Sequence, residues 1–171
     1  TKSVTIPAKN LGEAFENGIW FDGSSIYGFA RIQESDMRLK PDAKTYRVLP
    51  WVTTPPYRAR VICDILTADG DPFPGDPRTV LQKAVAKAES MGFSAYNIGP
   101  ELEFFLFREN GSTLSAVPHD IGGYFDFSPA DEAERLRSDI QTVLELLEID
   151  VEMSHHEVAI GQHEIDFRYS D

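Results

Sequence analysis

Positive charge is scarce in this chain. Of its 171 residues, 16 are Lys or Arg and 28 are Asp or Glu, so the net charge is −12. An acidic surface repels phosphate groups, which argues against a protein that binds nucleic acid or an anionic membrane. No apolar run approaches the length of a membrane span, and the first residues do not resemble a secretory signal. The only cysteine, Cys63, lies in an apolar run. We expect a buried, reduced thiol there and a cytoplasmic protein.

Several common catalytic and nucleotide-binding motifs are also missing. The chain has neither a GxxxxGK[ST] loop nor a GxGxxG turn, so a nucleotide cradle of the usual form is excluded. His155-His156-Glu157 is not the HExxH helix of zinc proteases, and on a strand the two histidines would point to opposite faces. No Ser, Cys or His stands in a recognisable nucleophile setting.

The pattern of apolar and turn residues predicts an α+β fold in two parts. Residues 1–66 read as short strands with little helix, and TADGDPFPG at 67–75 has the composition of a linker. From residue 76 onward, helix and strand alternate. Helices are expected at 10–17, from 76 to 91, and from 128 to 147. Strands are expected at 4–7, 19–21, 28–33, 48–52, 59–66, 93–98 and 101–107.

The stretch VEMSHHEVAIGQHEIDFR, residues 151–168, reads as two strands that reverse at Ile160-Gly161. This register places Glu157 opposite Glu164 and Val158 opposite His163, with Cβ atoms about 5 Å apart in each pair. Two opposed carboxylates repel unless a cation lies between them, which favours a divalent metal site. The alternative is a longer turn with another register, in which both glutamates point into water. Spacing alone does not choose between these interpretations.

A second pair of acids lies in the apolar run GPELEFFLF, residues 99–107. Glu101 and Glu103 are two residues apart on a predicted strand, so they share a face, roughly 7 Å from each other. Phe105 and Phe107 continue this face, and we therefore expect Glu103 to be carried toward the interior. A solvated strand edge is the alternative. Four glutamates on one sheet would suit Mg²⁺ or Mn²⁺ rather than zinc.

The turn Asp22-Gly23-Ser24-Ser25 follows a short apolar strand. Taken alone, Asp-Gly between apolar flanks is more typical of an ordinary turn than of a site. Asp22 and Ser25 would nevertheless present a carboxylate and a hydroxyl from a rigid loop.

These stretches together resemble the motifs of a known family, glutamine synthetase of the bacterial and archaeal type I class. The resemblance covers essentially the whole chain and rests on four segments in the family's order. They are FDGSSIYGF followed by ESDMRLKPD, GPELEFFLF, GGYFDFSPAD, and EMSHHEVAIGQHEIDF. The short hairpin HHEVAIGQHE is similar to the α subgroup rather than to the adenylylated β subgroup.

The resemblance implies an N-terminal β-grasp domain, here residues 1–70, followed by the first part of the catalytic α+β domain, residues 76–171. It implies ATP-dependent ligation of ammonia to L-glutamate through γ-glutamyl phosphate, with two or more Mg²⁺ or Mn²⁺ ions per site. It also implies a cytoplasmic dodecamer with sites between adjacent subunits. Ammonium, L-glutamate and ATP would be its small-molecule partners, with no nucleic acid and no membrane.

Matched motif to motif, the resemblance assigns a role to each site residue. Glu103, Glu157 and Glu164 would hold one metal ion, and Glu101 would share a second. Glu152 falls where the family contacts ATP. The ammonium-binding and deprotonating residues would be Asp22, Ser25, Tyr124 and Glu157.

Two departures and one large difference qualify the resemblance. Leu102 and Ile160 stand where the family usually has proline, and Ile160 could loosen the turn between Glu157 and Glu164. Family members are more than twice as long, so we expect the first strand or so and the later catalytic half to be missing. The chain alone should then be inactive. A γ-glutamyl amine or polyamine ligase on the same scaffold, and a non-catalytic cation-binding or assembly module, are the alternative functions.

Overall fold

The computed structural model describes residues 2–26, 28, 30–31, 35–109 and 116–170. The chain forms two compact units. The helices are α1 (Leu11–Asn17), α2 (Pro77–Ser90) and α3 (Glu134–Leu146). The strands are β1 (Ile19–Asp22), β2 (Asp36–Pro41), β3 (Arg47–Val48), β4 (Ala59–Arg60), β5 (Cys63–Thr67), β6 (Glu101–Phe105), β7 (Val151–His156) and β8 (Gln162–Phe167). None of the helices in these ranges is long and apolar enough to cross a membrane.

The first unit comprises Thr1–Leu49 and Pro56–Ala95. Its main sheet is antiparallel in the order β1-β2-β5, with a separate two-stranded pairing of β3 and β4. Met37 of β2 is buried in this unit, with 1% of its surface exposed. A side chain at Gly23 would displace the buried Met37, because a Cβ there would lie 2.7 Å from Met37 Sδ. This packing fixes the turn that follows β1.

Helix α2 is tied to the first unit by the acids around it. Asp76 caps the helix, accepting from the backbone N–H of Arg78 (3.3 Å) and, with its other oxygen, from the N–H of Ile65 on β5 (3.2 Å). Arg78 donates to Asp64 and Asp42, each at 2.7 Å. The first compact unit therefore extends beyond the predicted linker at 67–75 and includes α2.

The second unit comprises Pro50–Pro55 and Tyr96–Asp171. Its three strands are antiparallel in the order β6-β8-β7, so the central strand is the last in sequence. Helix α3 packs against β7. Ala133, Leu147, Val151 and Ile165 form its buried apolar core.

Most of the predicted elements are present, although several bounds were wrong. The predicted strands at 4–7 and 93–98 do not form, apart from one bridge between Ile98 and Ser170. The strand at 48–52 is reduced to β3, and α3 begins at Glu134 rather than near residue 128. Apolar alternation is not sufficient for a strand, since a strand also needs a neighbour for its backbone hydrogen bonds. Of the predicted strand at 28–33, residues 29, 32 and 33 lie outside the described residues, and residues 28, 30 and 31 are not in a strand.

Candidate metal centre

The register of β8 against its two neighbours builds the candidate site. On one side, Glu103 lies opposite Glu164 and Glu101 lies opposite Asp166. On the other side, His155 lies opposite Glu164. Because side chains alternate along a strand, all five of these residues point to one face of the sheet.

The predicted pairing of Glu157 with Glu164, and of Val158 with His163, is wrong by two residues. The turn is longer than predicted: β7 ends at His156, which pairs with His163, and five residues precede β8. The backbone N–H of Glu157 donates to the carbonyl of Gln162 at 2.9 Å. A shift of two residues preserves the face, because strand side chains alternate with a period of two. Glu157 therefore still lies on the side of Glu164.

The potential metal ligands on this face form two overlapping groups. His155, Glu157 and Glu164 each offer a ligand atom within 4.8 Å of the other two, and so do Glu101, Glu164 and Asp166. Glu164 belongs to both groups and is only 6% exposed. The alternative in which both hairpin glutamates point into water is therefore excluded for Glu164.

Glu103 occupies a different environment from Glu164. It is exposed, as is Phe105, so the expectation that the Phe105 and Phe107 side carries Glu103 into the interior is wrong. The partly buried ring of this strand is Phe104, which points to the opposite face and contacts His163. Gln162 Nε2 donates to Glu103 Oε2 at 3.0 Å. Glu103 thus lies at the open margin of the site.

The carboxyl groups of the site lie close together, and burial and this crowding raise the pKa of the most buried one. Burial and the neighbouring Asp166 charge raise the pKa of Glu164 to about 7, and carboxyl–carboxyl hydrogen bonds to Glu157 and Asp166 act in the same direction. His155 Nε2 lies 3.6 Å from both Glu164 Oε2 and Asp166 Oδ2. In the described part of the chain, no Lys or Arg forms an ion pair with these acids.

A divalent cation fits this donor set. Carboxylate oxygens are the preferred ligands of Mg²⁺ and Mn²⁺. An ion would replace the proton that the crowded carboxyls otherwise retain, which removes their mutual repulsion.

The opposite face of β7 carries a buried ion pair. His156 Nε2 contacts Asp120 Oδ1 at 2.9 Å, and both side chains are inaccessible to solvent. His156 Nδ1 lies 2.7 Å from the carbonyl oxygen of Glu157. Because that carbonyl can only accept, Nδ1 carries a proton. Although burial opposes both charges, their mutual hydrogen bond lowers the pKa of Asp120 and raises the pKa of His156.

A second buried pair lies beside the first. Arg137 of α3 donates to both carboxylate oxygens of Asp131 and, through Nη1, to His163 Nδ1 at 2.9 Å. Burial and the adjacent Arg137 charge lower the pKa of His163 to about 4. Since Arg can only donate, the neutral His163 has its proton on Nε2. His163, His156 and Asp120 lie within metal-binding distance of one another, but a protonated Nε2 cannot ligate an ion. We interpret this group as a buried polar core in which His163 Nε2 has no hydrogen-bond partner among the described residues.

Comparisons with known proteins identify the family of the chain. Residues 1–68 match the family model for "Glutamine synthetase, beta-Grasp domain", and residues 74–171 match that for "Glutamine synthetase, catalytic domain". The chain belongs to the glutamine synthetase family. It is 55% identical to the glutamine synthetase of Methanosarcina mazei and 51% identical to that of Halobacterium salinarum, each over 99% of this chain and 38% of the relative. The chain thus spans 38% of the length of these curated relatives.

A solved structure of the family has the same fold. The cryo-EM structure of Plasmodium falciparum glutamine synthetase superposes with a TM-score of 0.80 at 26% identity, over 97% of this chain and 37% of that one. The comparisons confirm the predicted β-grasp domain and the start of the catalytic domain.

Two further residues implied by the glutamine synthetase motifs, Tyr124 and Glu152, lie in the second unit. Tyr124 stacks on Phe125, with ring centroids 4.2 Å apart, and both rings lie nearly perpendicular to the His155 ring in T-shaped contacts. Tyr124 therefore borders the acid cluster through His155. Glu152 is exposed at the irregularity where β7 changes its register against β8, outside both groups of acids.

Asp22 and Ser25 belong to the first unit, at the end of β1. Asp22 accepts hydrogen bonds from the backbone N–H of Ser24 (2.9 Å) and from the hydroxyls of Ser24 (2.6 Å) and Ser25 (3.0 Å). These bonds, the Ser24 hydroxyl first, lower the pKa of Asp22. The turn holds a carboxylate that stays ionised.

The sequence reasoning missed two residues of the candidate metal centre, His155 and Asp166. Both were detectable in principle. Asp166 is two residues beyond Glu164 and His155 two before Glu157, so alternation places each on the acid face. The predicted hairpin register would itself have placed His155 directly opposite Asp166, so their proximity could have been inferred from the sequence.

Proposed function

We propose that this chain forms the first part of an enzyme that ligates ammonia to L-glutamate with ATP, through γ-glutamyl phosphate. The observation that carries the proposal is the cluster of carboxylates on one face of the β6-β8-β7 sheet, in a chain of the glutamine synthetase family. Phosphoryl transfer depends mainly on positioning and on neutralising charge. A face that gathers acids around divalent cations serves that purpose.

Glu157, Glu164 and Glu103 are the residues to which we assign one Mg²⁺ or Mn²⁺, and Glu101 is assigned a share in a second. The donor geometry adds Asp166 beside Glu101, because both lie with Glu164 in one group. When bound, such ions would neutralise the phosphate oxygens of ATP and of the acyl phosphate. Glu152 is proposed to contact ATP from the exposed end of β7.

Ammonium must be attracted and then deprotonated before it can act as a nucleophile. Asp22 suits the first task, since the hydroxyls of Ser24 and Ser25 keep it ionised. A carboxylate with a lowered pKa is a weak base, so we assign proton acceptance to Glu157. Tyr124 would close the ammonium pocket, consistent with its ring contact to His155.

The enzyme class, the cellular location and the oligomeric state that we propose come from the sequence motifs. The short connection between β7 and β8 supports a type I enzyme of the α subgroup. We further propose a cytoplasmic dodecamer in which Asp22 and Ser25 act in a neighbouring subunit's site.

A chimera tests the proposed activity. This chain would replace the 172 aligned residues of the Methanosarcina mazei glutamine synthetase. We expect glutamine formation that requires ATP, ammonium and Mg²⁺ or Mn²⁺, and a loss of at least about 100-fold in kcat/KM in Glu157→Ala and Asp22→Ala. Glu89→Ala, at an exposed position of α2, is the matched control and should retain activity.

The same chimera distinguishes ammonia from larger amines. Product formation with ammonium but not with methylamine or putrescine supports the proposal. A preference for an amine would favour a γ-glutamyl amine ligase. A chimera that folds and binds Mn²⁺ but forms no product with any amine would favour a non-catalytic cation-binding module. The 171-residue chain assayed alone should form no glutamine.

A further inference from the structure

One buried carboxylate is connected to both ends of the turn that carries Glu157. Asp120 Oδ1 accepts from His156 Nε2 at 2.9 Å and from the backbone N–H of Gly161 at 3.1 Å. His156 immediately precedes Glu157, and Gly161 immediately precedes β8. The two anchored residues thus enclose residues 157–160.

The anchor is itself fixed to the protein interior. Asp120 is 2% exposed, and its second oxygen accepts from the backbone N–H of Glu132 at 3.1 Å. Three donors therefore converge on a carboxylate that has no access to water. Buried carboxylates with such partners have one stable position, since any displacement leaves a charge unsatisfied.

His156 connects the fixed Asp120 carboxylate to the backbone of Glu157. The imidazole lies between Asp120 and the Glu157 carbonyl, 2.7 Å from the latter, so it joins the anchor to the residue whose side chain faces Glu164. The Glu157 carboxylate itself accepts a backbone hydrogen bond from the adjacent N–H of Val158 at 2.6 Å. That bond is local to the turn, so it does not fix the turn relative to the sheet.

We infer that Asp120 and His156 are positioning residues of the metal centre: they hold the Glu157 turn so that its carboxylate meets Glu164. This inference rests on the proposed metal-dependent function. Groups that orient metal ligands typically contribute 10- to 100-fold to metal affinity.

Gly122 offers an independent way to disturb this arrangement. A Cβ at Gly122 would lie 2.8 Å from His156 Nε2 and 2.9 Å from His156 Cδ2. Gly122→Ala therefore displaces the imidazole from Asp120 without removing a hydrogen-bonding group. At the adjacent Gly123, the nearest atom to a Cβ is Asp126 Oδ2 at 3.7 Å, an ordinary contact. Gly123→Ala is the matched control.

The experiment measures Mn²⁺ binding to the 171-residue chain by the electron paramagnetic resonance signal of free Mn²⁺. Thermal melting of each variant is recorded in parallel. Asp120→Asn and Gly122→Ala should each weaken Mn²⁺ binding by about 10- to 100-fold. Asp76→Asn removes a buried carboxylate that binds backbone N–H groups in the first unit. It should lower the melting temperature but leave Mn²⁺ affinity at the wild-type value.

A double-mutant cycle separates positioning from general destabilisation. If Asp120 acts through Glu157, then Asp120→Asn in a Glu157→Ala background leaves the affinity within about twofold of Glu157→Ala alone. Additive losses, or wild-type affinity in both Asp120→Asn and Gly122→Ala, would overturn the inference while leaving the metal site intact. Wild-type affinity in Glu157→Ala would overturn the metal site and the inference together. Where Asp120→Asn does not fold, Gly122→Ala decides.

Discussion

His155 lies opposite Glu164 on the neighbouring strand, with 3.6 Å between His155 Nε2 and Glu164 Oε2. The same nitrogen is 3.6 Å from Asp166 Oδ2. His155 is thus the one basic side chain that the described residues place among the acids of the candidate metal centre. Its position shows how the sheet gathers negative charge and leaves that charge mostly uncompensated.

Mn²⁺ binding should depend on pH through Glu164. Its pKa is raised from 4.5 to about 7 in the metal-free chain, so an ion must displace a proton below that pH. The groups facing it are Asp166, Glu157, Glu101, Glu103 and His155. We expect affinity measured by titration calorimetry to fall as pH decreases from 8 to 5.5. Glu164→Gln should bind weakly with a flatter profile.

The stability of the metal-free chain should change in the opposite direction. Between pH 4.5 and about 7, the folded chain retains a proton on Glu164 that the unfolded chain has released. The free energy of unfolding contributed by this group therefore decreases as pH rises through that window. Urea unfolding of wild type and Glu164→Gln at pH 5 and pH 8 measures the difference. A larger pH effect in the variant than in wild type would contradict this assignment.

Breaking the buried pair of Arg137 with Asp131 should be costly. Arg137→Met leaves Asp131 buried without its counter-ion, for an expected loss of about 3–5 kcal/mol in the free energy of unfolding. The control is Arg168→Met, which breaks an exposed pair with Asp150 and should change stability by no more than about 1 kcal/mol. Urea unfolding compares the two. Equal losses would show that burial of the Arg137 pair has no energetic consequence.

Gly161 should not tolerate alanine. Its φ is +68°, and a Cβ would lie 2.9 Å from the carbonyl oxygen of Leu106. We expect Gly161→Ala to lower stability by at least about 1–2 kcal/mol from backbone strain alone. Gly12→Ala, in α1 with nothing within 4 Å of its Cβ, should instead raise stability by about 0.5–1 kcal/mol. Thermal melts that move both variants in the same direction would refute the distinction.

The N-cap residue of α2, Asp76, should contribute to the stability of the first unit. Asp76 is 3% exposed and satisfies backbone N–H groups of both Arg78 and Ile65. Asp76→Ala should cost about 1–2 kcal/mol or more, because it removes a helix cap and leaves a donor of β5 unpaired. Asp69→Ala, at an exposed turn, should stay within about 0.5 kcal/mol of wild type. Denaturant midpoints provide the comparison.

The sequence indicated the family, the order of the two domains and the acid-bearing strands, but several local details were wrong. The pairing of Glu157 with Glu164 failed because turn length cannot be read from alternation, which fixes parity and leaves shifts of two residues open. Glu103 was expected in the interior and is exposed. Burial depends on what covers a face, and the neighbours of a strand are not evident from its own residues.

Alternation was sufficient, from the sequence alone, to place Glu101 with Glu103 on one face of β6 and Glu164 with Asp166 on one face of β8, since strand geometry is local. The pairing registers between the strands decided that the acid-bearing faces of β6 and β8 coincide and that His155 of β7 lies beside them. The convergence of Asp120 on His156 and Gly161 depended on tertiary structure as well. These contacts join residues 36 and 41 positions apart in the chain, and only the packed fold brings such distant groups together.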